Sequence, residues 1–233
     1  MKFLDFLTEK FSLTLQYHSR LNSKVWDKTE LRDGIGVTVM DQAMAYAKFC
    51  KIPKERIKDV IITGGNVGYN YTKYSDIDCH LLMDLEGLDA SKFKEKQFEY
   101  KKQWVAKHTV NIAGYPLELF AANSKDKIPD GQGVYSVMFN KWVIVPEHQN
   151  WKEIVNNPLV MAKMEHAYDM AEHLIADGTA AEIEKFSNKL WQGRSAGLQK
   201  AGEFSIENLI YKNLRNLGEL ERLKKRAEQL SSK

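Results

Sequence analysis

From Asp59 to Asp84 the chain reads DVIITGGNVGYNYTKYSDIDCHLLMD, two short apolar runs separated by a glycine-marked polar loop. No other stretch restricts the possible folds as much. The run from Asp59 to Thr63 is rich in β-branched residues and stops at Gly64-Gly65, which predicts a buried strand ending in a tight turn. The second run predicts another strand. Side chains two apart on a strand share a face, so Asp76 and Asp78 lie side by side and Ile77 turns to the opposite, buried side. Two carboxylates held that close repel each other unless one takes a proton or a divalent cation neutralises both, and hard oxygen ligands suit Mg²⁺.

The loop between the strands adds to this. Gly64 and Gly65 allow backbone N–H groups to approach phosphate oxygens. Asn66, Tyr69, Lys73 and Ser75 follow as candidates for orienting phosphates, and each reads equally well as a solvent-facing loop residue. A third acid comes later. Val110 to Ala122 (VNIAGYPLELFAA) contains a further β-like run, and Glu118 lies between Leu117 and Leu119. An acid flanked by residues expected to be buried is costly without a partner. A strand pairing beside Asp76 and Asp78 would bring three carboxylates to one place, as a two-metal phosphoryl-transfer centre requires.

The Gly-Gly turn, the Ser75-Asp76-Ile77-Asp78 strand and the later Glu118 resemble the DNA polymerase β-type nucleotidyltransferase superfamily. The segments TGGNVGYNYTKYSDIDCHLL, IAGYPLELF, GVYSVMFNKW and GEFSIENLIYKNLRN look closest to bacteriophage-encoded nucleotidyltransferases, and the likeness runs from about Trp26 onward. It departs from the family pattern at Gly65, where Ser is common, and at Glu118, where Asp is commoner. The resemblance implies an α+β nucleotidyltransferase fold, a small mixed β-sheet with flanking helices and a C-terminal helical unit. It also implies Mg²⁺-dependent transfer of a nucleoside monophosphate from a nucleoside triphosphate to an acceptor hydroxyl, with release of pyrophosphate. Asp76, Asp78 and Glu118 would hold two Mg²⁺ ions, or Mn²⁺ in their place. The acceptor stays open: a host tRNA or other RNA end, a protein, a small molecule, or a second nucleotide as in cyclic-oligonucleotide synthesis. A non-catalytic nucleotide-binding or virion-associated module on the same fold is the alternative.

The 233 residues suffice for two units, expected at residues 1–150 for the catalytic domain with an N-terminal extension and 151–233 for a helical domain closing the cleft. With 34 basic and 31 acidic side chains the net charge is only +3, so any nucleic-acid surface must be local. Cys50 and Cys79 lack metal-ligand spacing, which fits a reducing compartment, and Cys79 should face the core. The start, MKFLDFLTEKF, has no long apolar segment, and no run approaches membrane-spanning length; a cytoplasmic protein, in the host cytoplasm if phage-encoded, is expected.

Elsewhere the pattern predicts a short helix over Phe3 to Phe11, a helix from Val37 toward Ile52, and an Asp89-capped helix to Lys107 whose lysines read most simply as a solvated face. Gly131 to Pro146 predicts a hairpin turning at Asn140-Lys141, with Tyr135, Val137 and Phe139 on one face. Tyr135, Ser136 and Trp142 there are candidates for placing a base, though core packing is the simpler role. From Pro158 three helices are expected, the last from Ser205 to about Leu230. A polyphosphate needs cations beyond its metals, and Lys163, Lys189, Arg194 and Lys200 on these helices are the candidates.

Overall fold

The computed structural model describes residues 12–128 and 130–232. The helix expected over Phe3 to Phe11 lies outside them. The chain divides into two compact units, one holding residues 16–128 and 132–148, the other 149–232 together with residues 12–15 and 130–131.

The first unit is α+β. Its elements are β1 (Trp26–Asp27), β2 (Glu30–Leu31), α1 (Ile35–Phe49), β3 (Ile57–Thr63), β4 (Ile77–Met83), α2 (Ala90–Val105), β5 (Asn111–Ile112), β6 (Tyr115–Asn123), β7 (Val134–Ser136) and β8 (Lys141–Ile144). β1 and β2 form a small ribbon, and the rest form one sheet in the order β5-β6-β4-β3-β7-β8. β4 and β6 pair parallel, whereas the other neighbours pair antiparallel. Parallel strands cannot be joined by a tight turn, and α2 supplies the crossover.

Alternation decides which face of the sheet is core. In β4, Ile77, Cys79, Leu81 and Met83 are buried, as are Leu117, Leu119 and Ala121 of β6. They pack with Val39, Ala43, Tyr46 and Ala47 of α1 and Trp104 of α2, and each large aliphatic chain so covered contributes about 1.5–3 kcal/mol. Asp78, His80 and Leu82 take the other, half-buried face. α2 begins where the Asp89 carboxylate accepts from the Ser91 and Lys92 N–H groups, the cap its sequence announces.

The β-like run expected within 110–122 is β6, and ahead of it the chain turns at Ala113-Gly114, both at positive φ, so that β5 folds back on β6. One expectation needs correction here. The later hairpin turns at residues 137–140, with Asn140 at φ 50, rather than at Asn140-Lys141. Phe139 is consequently exposed while Val137 is buried.

The second unit contains α3 (Trp151–Val155), α4 (Pro158–Asp177), α5 (Ala180–Ala201), α6 (Ile206–Leu217) and α7 (Glu219–Ser231). Asn157 caps α4, with Pro158 in its first turn. At the start of α5, Thr179 and Glu182 form a capping box. The single last helix expected from Ser205 to Leu230 is broken at Gly218, which takes the left-handed conformation at φ 87. Ala167, Ala171, Leu174, Ile183, Leu214 and Leu223 form its main core. Buried Glu203 is neutralised by Lys212, as a buried carboxylate requires. Among the described residues no helix is long and apolar enough to cross a membrane.

Candidate metal and phosphate site

The parallel pairing of β4 and β6 sets Asp78 directly opposite Glu118. Residues paired across a ladder share a face. Asp76 lies just ahead of β4, and oxygens from Asp76, Asp78 and Glu118 all fall within 4.8 Å of one another. All three side chains are half-buried. Leu117 and Leu119 on either side of Glu118 are buried on the core face, as expected, and Glu118 itself takes the other face, where Lys101 is its partner.

Gly64 has a role beyond freeing N–H groups. It sits at φ 86, and a Cβ there would stand 2.2 Å from Asp78 Oδ2. The main chain therefore runs against the carboxylate in a conformation that only glycine adopts readily. At Gly65 a Cβ would come within 3.0 Å of Ser75 Oγ, a local reason for glycine there. Ser75 Oγ accepts the Thr72 N–H at 3.0 Å and staples the loop.

Asn66 is buried and works as a latch. Its Nδ2 donates to the Asp76 carbonyl at 2.8 Å, its Oδ1 accepts from Asn22 Nδ2 at 2.7 Å, and its own carbonyl accepts from Trp26 Nε1 at 2.7 Å. The polar stretch before α1 thus holds the loop that presents Asp76. The Tyr69 ring stacks on His148 at 3.7 Å between centroids, and exposed Lys73 holds its ammonium 4.9 Å from the Tyr74 ring centroid.

Lys101 is the site residue that sequence reasoning missed. Its Nζ lies 2.6 Å from Glu118 Oε2, with the two side chains 34% and 42% exposed. At that exposure the pair contributes little to stability; its effect is to set a positive charge beside three acids. Among the five lysines of its helix nothing local marks Lys101 out, and only the crossover brings it to β6. His80, next on the same face of β4, adds no such charge at neutral pH: burial, helped by the Lys101 ammonium, pushes its pKa down to about 4.

The remaining candidates are placed elsewhere. Tyr135 is buried and donates to Asn140 Oδ1, Ser136 donates to Asp59 Oδ1, and Trp142 stacks on Trp26 while donating to the Thr29 carbonyl. Core packing is their role. In the helical unit Lys163 and Lys189 line one cavity of about 570 Å³ with Met170, Phe186 and Ile210. Arg194 donates to Asn208 Oδ1 and lies over the Tyr211 ring, and Lys200 is exposed near the end of α5.

No family model matches the chain. No curated protein matches it either. Among solved structures, a STING-associated CdnE c-di-GMP synthase from Capnocytophaga granulosa is similar at 11% identity, over 87% of this chain and 84% of that one, with a TM-score of 0.23. A superposition that loose adds no weight to either fold or function. Three carboxylate oxygens so close together form a donor set suited to a hard divalent cation, and Gly64 leaves room for the carboxylate of Asp78 beside the turn.

Proposed function

We propose that the chain is a Mg²⁺-dependent nucleotidyltransferase, moving a nucleoside monophosphate from a nucleoside triphosphate to an acceptor hydroxyl with release of pyrophosphate. The convergence of Asp76, Asp78 and Glu118 within 4.8 Å carries the reading. Asp76 and Asp78 would hold a pair of Mg²⁺ ions, or Mn²⁺, with Glu118 completing the set. An ion held there would neutralise the carboxylates and supply Lewis-acid polarisation of the α-phosphoryl group.

The protein's own part is positioning. The acceptor oxygen bonds to the α-phosphorus as the bond to pyrophosphate breaks, and the carboxylates favour loss of the hydroxyl proton. Backbone N–H groups at the Gly64-Gly65 turn are suited to the phosphates, and Lys101, held near by Glu118, offers a further cation. Lys163, Lys189 and Arg194 are proposed as triphosphate contacts from the helical unit. Asn66 and Ser75 serve by fixing the loop.

The test is incubation with each α-labelled triphosphate, Mg²⁺ or Mn²⁺, and bacterial lysate, followed by nuclease or protease digestion of the labelled product. Label should appear on a macromolecule with wild type and vanish with Asp76→Ala/Asp78→Ala. Persistence of label in that variant would sink the site. Label gathered in a small cyclic product without lysate would assign the acceptor to a second nucleotide.

A further inference from the structure

The α+β unit carries a concavity, about 830 Å³, whose lining includes none of the three acids. It lies between the β1–β2 ribbon with the residues leading into it and the loop that joins β3 to β4. Arg20, Lys28 and Arg32 line it against one acid, Asp27, and Tyr69 and Tyr71 form part of its wall. Its volume falls in the range of about 300–1,000 Å³ usual for ligand sites.

The two tyrosines are fixed platforms. Tyr71 stacks face to face on His18 with centroids 3.8 Å apart and planes 10° apart, and His18 Nε2 lies 3.0 Å from the Tyr71 carbonyl. The His18 N–H donates to the Tyr69 carbonyl at 2.7 Å, while His148 covers one face of Tyr69. Lys28 sits at φ 55 at the tip of the ribbon, an unusual conformation for a lysine, and Arg32 is anchored through Nε on the Ser23 carbonyl.

Rigid aromatic rings interleaved with exposed guanidinium and ammonium groups match one chemistry, stacked bases on a phosphate backbone. An acidic peptide would use the cations and leave the ring platforms unexplained. We infer that this groove binds a short single-stranded polynucleotide. With a net charge of only +3 the chain suits a few nucleotides rather than a long tract. The groove is also tied to the acids: Tyr69 and Tyr71 belong to the loop ending at Asp76, and Asn66 joins Asn22 to the Asp76 carbonyl. Resting on the nucleotidyl-transfer reading for this last step, the strand's end is the acceptor.

Fluorescence anisotropy on the full chain in EDTA, with labelled ribo and deoxyribo single strands of about ten nucleotides, tests the groove without the metal. At least one strand should bind. Arg20→Ala/Lys28→Ala should weaken it roughly tenfold or more and make the salt slope shallower by about 1.4, whereas Arg20→Lys/Lys28→Arg should restore it. Tyr71→Ala should weaken binding while Asp76→Asn/Asp78→Asn should not, with circular dichroism confirming that each variant is folded. Failure of folded wild type to bind either strand, undiminished binding by the Arg20/Lys28 double alanine variant, or equal affinity for a duplex would each overturn the proposal. A chain that binds strands in EDTA yet transfers no label retains the groove and loses the transfer reading; one that labels a protein but binds no strand does the reverse.

Discussion

Asp78 is constrained from two sides, by Glu118 opposite it on β6 and by the main chain at Gly64. Asp78→Asn should lower label transfer about a thousandfold and abolish any Mg²⁺-induced rise in melting temperature, without destabilising the metal-free chain, because it relieves carboxylate repulsion. Gly64→Ala should damage the same site by a different route, pressing its Cβ on the carboxylate. Lys101 yields a distinct expectation. Lys101→Met removes a cation that competes for Glu118, so Mg²⁺ should bind more tightly by titration calorimetry; weaker binding would mean that Lys101 supports the ligand set instead. The two cysteines should be inert, since burial pushes the Cys79 thiol pKa upward and that of Cys50 up to about 11. A thiol reagent at pH 8 should react only after unfolding. At this scale the acids and glycines were legible because their meaning is local. Lys101 and the Asn22–Asn66 bond were not, because each partner is chosen by the fold.

Elements were legible where caps and alternation agree. Asp89 caps the helix that its position announces, and Asn157 and Thr179 cap the next two long helices. The break at Gly218 was missed because apolar spacing continues through it. Leu214, Leu217, Leu220 and Leu223 keep helical period across Gly218, and a lone glycine inside such a pattern usually costs only about 1 kcal/mol. The decisive property is the positive φ, which spacing does not show. Gly218→Ala has open space for its Cβ and should still lower stability by about 1 kcal/mol from backbone strain. The capping box of α5 gives a pH test. Hydrogen bonds from the Thr179 N–H and hydroxyl hold the Glu182 carboxyl below its usual pKa of 4.5. A depressed carboxyl pKa stabilises above the unfolded value and loses that effect as pH falls through the folded one. The melting-temperature gap between wild type and Thr179→Ala should therefore narrow below about pH 4.5.

For the whole molecule, the sequence showed an α+β portion followed by helices, and it could not show which segments before α1 brace the acid loop. Hydrogen exchange separates the proposed roles of the two units. Mg²⁺ alone should slow exchange in β4 and β6 and leave α4 and α5 unchanged, because every carboxylate of the site belongs to the α+β unit. Addition of triphosphate should extend protection to α4 and α5, where Lys163, Lys189 and Arg194 lie; its absence there would remove these cations from the reading. The parallel pairing of β4 with β6 has a consequence in time. Glu118 meets Asp78 only after the chain has travelled through α2 and back, so the ligand set is a non-local contact, slow to close and absent from any partly folded chain. Mg²⁺ should then leave the refolding rate unchanged and slow unfolding instead, and the chain acquires its ion only once its topology is complete.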